Sequence, residues 1–490
     1  MEYVFNHYYI LKHDEKRTIL CSHDRTSSSI DVNKDWITFI HPVYAMMLSF
    51  FSKPSSLDDA VNNIAAFFDF SLDYTRNLVL NFVENKETFH TFFQGVENDF
   101  PKNIIVKATR MHDRIVNYLP QDFIYTAVDL RSRRTFVSPI YVTFMLSNKC
   151  LTNCIYCYAD RQTKSRDLSF DKVESIIKEA AQLRLSSFNL DGGDFFLYPY
   201  WRQLLSKLHD YNYYPNVISS KYPISKQDIL DFSKFNLNLQ VSLDAIEQDI
   251  LDKMVGHIPD YARKMQQSLI NINDVMPFQI ATILTKYNNS IQELEKMYAF
   301  LSNLDKLKRW EIRVGFKSLY TKKLFEEIQI DRTSISTIEE WVKKKQAIAK
   351  FEIIWSPGRE VDFFQAKNGS LDFIGGLCSA NSIHMFILPD GKVTICEQLY
   401  WNKNFLIGDL TKNSISEVWN SERALYLANM KQKDYSIHSA CHNCEIFDKC
   451  KANLNTCYTN ILKVYGNEKW DYPDPRCAKA PRNISEKIYV

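Results

Sequence analysis

Glycine is scarce, with 12 among 490 residues, and no segment repeats. These absences exclude collagen-like, solenoid and low-complexity architectures. An excess of charge of one sign is missing too. Sixty basic residues balance 58 acidic ones to a net +2, so no global field calls for nucleic acid or an anionic membrane, and basic runs such as Lys343, Lys344 and Lys345 read as solvated helix faces. No apolar run approaches the roughly 18 residues of a membrane span, the richest being residues 43–51. Residues 1–11 lack the basic, apolar and small-residue regions of a secretory signal. The expected compartment is the cytoplasm, with no membrane and no nucleic-acid partner. What is present is a packed globular composition, 45% hydrophobic and 14% aromatic, in a chain long enough for about three units of ordinary size. Eleven cysteines stand out, because in a reducing compartment clustered cysteines point to metal ligands sooner than to disulfides.

Patterning divides the chain into five stretches. Residues 1–90 contain three short β-prone runs (7–11, 18–21 and 36–40), the first two separated by a polar turn at residues 13–17. Three helical segments follow, of which two are N-capped by Ser56 and Ser71 with acids in the first turn. Strands followed by three compact helices suggest a winged-helix-like unit. Residues 91–137 are mixed and charged and read as a bridge. From 138 to 335 strand and helix patterns alternate, with strands expected at 141–146, 187–190, 216–220, 237–243, 279–284 and 310–316. Repeated βα units imply α/β architecture with a parallel sheet, and six strands suggest a partial (β/α)6 TIM-like barrel whose site lies at the carboxyl ends of its strands. Residues 336–370 read as a linker helix. Residues 371–490 form a separate cysteine-rich domain holding seven of the eleven cysteines.

The most informative motif is Cys150-Leu-Thr-Asn-Cys154-Ile-Tyr-Cys157, directly after the first barrel strand. Three thiolates on one loop can bind three irons of a [4Fe–4S] cube and leave the fourth open to a chelating ligand. A zinc site would want four ligands, usually as two separated pairs. The motif resembles the radical SAM superfamily. That resemblance implies S-adenosylmethionine on the open iron, its one-electron cleavage to a 5′-deoxyadenosyl radical, and Tyr156 as the ring near the adenine. Gly192-Gly193-Asp194 is similar to the superfamily's Gly-Gly-Glu segment, which holds the methionine amino group, with Asp in place of Glu. Ser242 and Asp244 resemble its ribose-binding segment, though as isolated residues they would be ordinary caps. Ser220 stands after the third strand, where relatives often carry Thr-Asn-Gly.

In the last domain, Cys378 is followed after twelve residues by Gly391 and after four more by Cys396, then by Cys441-xx-Cys444, Cys450, Cys457 and Cys477. With the turn Pro389-Asp390-Gly391 and the segments Ile407-Gly-Asp-Leu410 and Ser416-Glu-Val-Trp419, this resembles the SPASM domain, which carries two auxiliary [4Fe–4S] clusters. The spacing departs from the family by placing six residues, not three, between Cys450 and Cys457. The resemblance implies that Cys441, Cys444, Cys450 and Cys477 saturate the distal cluster, leaving Cys378, Cys396 and Cys457 for a proximal one. Its remaining position is open to a substrate thiolate, or is filled by another residue or water. Glu397, next to Cys396, stands where some of these enzymes have an acid proposed as general base; an exposed surface acid is the alternative. Cys21 reads as a buried small hydrophobe.

Residues 1–90 resemble the recognition element of maturases acting on ribosomally made peptides, implying that a leader peptide adds a strand near residues 36–40 beside the helix at 71–84. A DNA-reading winged helix is the alternative, but Arg76 is the only basic residue across 73–84. Taken together, the chain resembles radical SAM/SPASM peptide maturases of the sactipeptide and ranthipeptide, thioether-forming type. This implies a radical SAM oxidoreductase with three clusters, a precursor peptide as partner and a flavodoxin- or ferredoxin-like reductant. Enzymes making carbon–carbon crosslinks, epimers or oxidised side chains, and a non-catalytic cluster-bearing protein, are the other readings.

Overall fold

The computed structural model describes residues 1–23, 31–108, 117–357, 360–361, 378–453, 456–477, 479–481 and 488–489. Six parallel strands follow the expected alternation: Tyr141–Met145, Ser187–Asp191, Ile218–Ser220, Leu239–Ser242, Phe278–Leu284 and Leu307–Val314. The first pairs with the second, and the third to sixth form a continuous parallel run; among the described residues no ladder bonds join the second strand to the third. Three of the intervening helices start at serine caps. Ser169, Ser225 and Ser290 each accept an N–H three residues ahead, with an acid in the first turn to meet the positive helix end. Their apolar faces, such as Val173, Ile176, Ile177 and Ala180, lie against the sheet.

Two boundaries differ from the sequence reading. The stretch read as a linker helix begins in the helix Arg332–Gln346, but Glu352–Ser356 is a seventh strand, parallel to the sixth with Ile353 opposite Trp310. The sheet therefore continues past residue 335, because the β-prone run at 352–356 repeats the strand–helix alternation once more. On the opposite edge, His384–Ile387 lies parallel to the first strand, with Met385 opposite Val142 and Ile387 opposite Phe144. One hydrophobic core accordingly runs from Val142 through Trp310 to Trp419, uniting the barrel and the cysteine-rich domain.

The N-terminal unit has its own core, including Phe5, Leu20, Tyr44, Phe82, Phe100 and Phe123. Tyr9–His13, Thr18–Ser22 and Ile37–Ile40 form an antiparallel sheet in that order, followed by helices Pro42–Ser49, Leu57–Phe68 and Leu72–Leu80. The unit does not end at residue 90. The hairpin Phe89–Phe93 with Val96–Phe100, and the strand Ile105–Lys107 paired to Glu2–Phe5, belong to it. Alternating aromatic and polar residues in that hairpin put Phe100 into the core, pack Phe89 against it and leave the charged ones outside.

In the polar turn at residues 13–17, Glu15 faces solvent but two charged residues do not. Asp14 and Arg17 are both fully buried, with Nε of Arg17 2.8 Å from Oδ2 of Asp14. The other Asp14 oxygen accepts the N–H groups of Phe136 and Val137 at 2.7 and 2.9 Å, while Arg17 donates to the carbonyls of Ser132 and Arg134 and stacks on Phe39. This pair fastens the N-terminal unit to the segment entering the first barrel strand. Asp14→Ala leaves a buried guanidinium without its carboxylate and should cost about 3–5 kcal/mol. Denaturant melts would read the loss, and Asp14→Asn, which keeps an oxygen to accept from Phe136 and Val137, should lose less.

Candidate functional site

The loop after Met145 is held from two sides. On one, the N–H groups of Asn153 and Ile155 donate to the carbonyls of Val255 and Met254 at 2.8 and 2.9 Å. On the other, Leu146 donates to the Asp191 carbonyl, Gly193 to that of Ser147 at 2.6 Å, and Asp194 to that of Lys149 at 2.7 Å. The two glycines permit this interlock. A Cβ at Gly193 would lie 2.0 Å from the Lys149 carbonyl oxygen, and one at Gly192, whose φ is +135°, would lie 2.6 Å from that of Ser147. Cys150, Cys154 and Cys157 occupy this loop, with the Cys157 N–H donating to the Cys154 carbonyl at 3.1 Å.

Around the loop the strand ends are tied by charge. The Asp194 carboxylate accepts Oγ–H of Ser220 at 2.9 Å and the N–H groups of Lys221 and Phe196 at 2.7 and 3.3 Å. Burial raises its pKa while those donors oppose the rise. Asp244, also buried, accepts Ile283 N–H at 3.0 Å on one oxygen. Its other oxygen receives the Tyr156 hydroxyl and the Lys221 ammonium, the latter at 2.5 Å; the ammonium also lies 2.7 Å from the Tyr156 oxygen. Ser242 sits two residues earlier, half-buried at the end of its strand. Lys221 was missed in the sequence. A lone cation directly after a strand end was the available signal, and burial opposed by Asp244 leaves its pKa raised overall.

The other cysteines fall into two groups. Burial first, and then the neighbouring Glu397, Cys457 and Cys378, push the Cys396 thiol up to about 12. Burial, with Cys477 and Cys444 adding, pushes Cys441 up to about 11, and Cys450 and Cys477 are raised in the same company. Cys150 is pushed up to about 12 by burial, with Asp194, Cys157 and Cys154 contributing. So the structure brings together Cys150, Cys154 and Cys157; Cys378, Cys396 and Cys457; and Cys441, Cys444, Cys450 and Cys477. Cys21 stands apart, fully buried among Ile10, Ile19 and Ile140.

These sets fit polynuclear clusters better than single ions. Among the described residues, the only trio of potential ligand atoms all within 4.8 Å of one another is His90, Glu97 and Asp99, exposed on the N-terminal hairpin. The cysteines are near enough to feel each other's charge and too spread to close on one ion. Buried thiols crowded this way ionise readily when a bound metal centre takes up the thiolates.

Glu397 is half-buried rather than exposed on the surface. Burial, and then the charge of Asp191, push its carboxyl up to about 7. Asp191 ends the second barrel strand and is itself raised by burial. Tyr158, just past the cysteine loop, feels both acids and stacks on Phe316 with centroids 6.0 Å apart. Asp191 could have been found in the sequence as an acid at the carboxyl end of a barrel strand.

Residues 144–301 match the Radical SAM superfamily, and residues 378–445 match the SPASM iron–sulfur cluster-binding domain. The PqqA peptide cyclase of Ruegeria pomeroyi is 22% identical over 355 residues, covering 71% of this chain and 89% of that protein. Streptococcus suis SuiB bound to S-adenosylmethionine superposes with a TM-score of 0.61 at 14% identity, covering 97% of this chain and 99% of that one. SuiB bound to its precursor peptide SuiA gives a TM-score of 0.60 at 13% identity, with the same coverage. The two domains imply [4Fe–4S] clusters, auxiliary ones included, and S-adenosylmethionine.

Proposed function

We propose that this chain, with its radical SAM and SPASM domains, is a peptide maturase that installs intramolecular thioether crosslinks, cysteine sulfur to carbon, in a ribosomally synthesised precursor. The observation that carries the reading is the set Cys378, Cys396 and Cys457. Three thiols beside Glu397 leave one ligand position of a cluster for a substrate sulfur. A relative named as a peptide cyclase, and a fold shared with a protein solved with its precursor peptide, support the coarser part of the reading.

When bound, the first cluster supplies the electron that cleaves S-adenosylmethionine to the 5′-deoxyadenosyl radical, which removes hydrogen from the acceptor carbon. Cys150, Cys154 and Cys157 would hold that cluster, and Gly192 and Gly193 fix their loop. Tyr156, Asp194, Ser220, Ser242 and Asp244 would line the cofactor, with Lys221 neutralising Asp244. Cys441, Cys444, Cys450 and Cys477 would hold the distal cluster. Glu397 would take the proton of the substrate thiol, since a carboxyl titrating near 7 is matched to that exchange at neutral pH.

The partners proposed are the precursor peptide and a flavodoxin- or ferredoxin-like reductant. Among the described residues Ile37–Ile40 has ladder bonds only to Thr18–Ser22, and the leader would add on its other side, which Val96–Phe100 approaches. Among the described residues no helix is long and apolar enough to cross a membrane.

Coexpression with a candidate precursor tests the proposal. Mass spectrometry should find two hydrogens lost per crosslink, at cysteines that alkylation no longer labels. The same mass loss with every cysteine still alkylated would point to carbon–carbon bonds and overturn the thioether reading. Glu397→Gln should slow crosslinking by about 10²–10⁴-fold while 5′-deoxyadenosine still forms. The wild-type rate should rise with pH through about 7, as the carboxylate form accumulates, and the variant should lose that rise. A variant with the wild-type rate and profile would remove Glu397 from the chemistry.

A further inference from the structure

We infer that Lys463, which among the described residues has no anionic partner, acts on the proximal auxiliary cluster and raises that cluster's reduction potential. The inference rests on the reading that Cys378, Cys396 and Cys457 hold a cluster.

The helix Tyr458–Tyr465 starts directly at Cys457, which is its N-cap. Thr459 and Lys463 are one turn apart and share a face, and the Thr459 hydroxyl lies 4.0 Å from the Cys396 sulfur. That face therefore looks at the Cys396 and Cys457 pair. Lys463 is 4% exposed. Its ammonium lies 5.4 Å from the Phe316 ring centroid, and the charged groups acting on it are the sulfurs of Cys457 and Cys396 and the Lys317 ammonium. Among the described residues it has no hydrogen-bonded or ion-paired acceptor.

Nearby cations differ in this respect. Lys317 pairs with Glu326 at 3.1 Å. Arg476, which acts on Cys457 and Cys378, grips Asp474 through two nitrogens at 2.8 Å each. Lys451, beside the four-cysteine set, donates to the Thr456 hydroxyl at 2.9 Å. Lys463 thus stands out as a buried amine whose described surroundings hold no anion other than cluster ligands. A buried charge without a partner is costly, so a partner that arrives with the cofactor is the economical explanation. Burial lowers the amine to about 8, which leaves it cationic at neutral pH.

A cluster gains one negative charge on reduction, and a fixed cation acting on its ligands from a buried setting favours the reduced form. For the thioether reaction this matters at one step. Closure of the S–C bond releases one electron, and a raised potential lets the proximal cluster accept it.

Redox titration of the full-length, reconstituted protein followed by electron paramagnetic resonance tests the inference. Lys463→Met should lower the reduced-to-oxidised ratio of the proximal signal at least tenfold at fixed potential, 59 mV for one electron. Lys463→Arg should keep it near wild type, and the other two signals should stay in place. Lys463→Gln is the second neutral variant, used should the methionine variant load iron incompletely. An unmoved potential at full iron content overturns the inference, as does weakened peptide binding with an unmoved potential, which would make Lys463 a substrate contact. If instead the triple variant C378A/C396A/C457A keeps its full iron and the proximal signal, the cluster reading itself fails.

Discussion

Gly193→Ala is expected to abolish S-adenosylmethionine cleavage without altering a cysteine. The added methyl would meet backbone, not a movable side-chain end: the carbonyl oxygen of Lys149 at 2.0 Å, its carbonyl carbon at 2.7 Å and its nitrogen at 2.8 Å. Relief requires the Gly193 segment and the cysteine loop to part, breaking the bonds from Gly193 to Ser147 and from Asp194 to Lys149. The loss should exceed about 4 kcal/mol, beyond the usual range of single substitutions. Gly95→Ala is the contrast. Gly95 has φ of +78° but nothing within 4 Å of a new Cβ, so only backbone strain of about 1–2 kcal/mol is at stake. Iron content, denaturant melts and 5′-deoxyadenosine yield, measured on both variants, would separate the two mechanisms. A Gly193→Ala protein that keeps its first cluster would refute the interlock.

The second large effect divides the cysteines by role. Cys154→Ala should reduce 5′-deoxyadenosine formation by more than about a thousandfold, because no protein side chain can replace the radical source. Cys396→Ala should leave that cleavage measurable and remove crosslinked peptide. Counting iron in each variant shows whether one cluster is lost at a time. Equal loss of cleavage in both would show that the sets are not independent.

Much of the fold was legible because local rules and global architecture agree. The βα alternation from residue 141 marks the six strands of the partial barrel, and serine caps at Ser169, Ser225 and Ser290 mark the start of three of its helices. The cysteine groups were legible because their members recur at short spacings. What escaped depended on contacts between distant segments. Asp14 and Arg17 belong to a polar turn, and only the approach of residues 132–137 makes them a buried pair. The hairpin at 89–100 interleaves polar residues with phenylalanines, of which Phe100 joins the core and Phe89 packs against it. Lys221 and Asp191 gain meaning only when the barrel brings Asp244 and Glu397 beside them. The strand at 352–356 was hidden by the helix preceding it, which drew the whole stretch into one label.

The strand His384–Ile387 belongs by sequence to the cysteine-rich domain and by hydrogen bonding to the barrel. Its amides should therefore exchange with solvent together with those of Tyr141–Met145, as one cooperative foldon rather than two. A chain cut between residues 356 and 378 would leave both halves with a bare, apolar strand edge, prone to recruit other chains. Grafting either half onto a relative thus requires carrying the seam along with it.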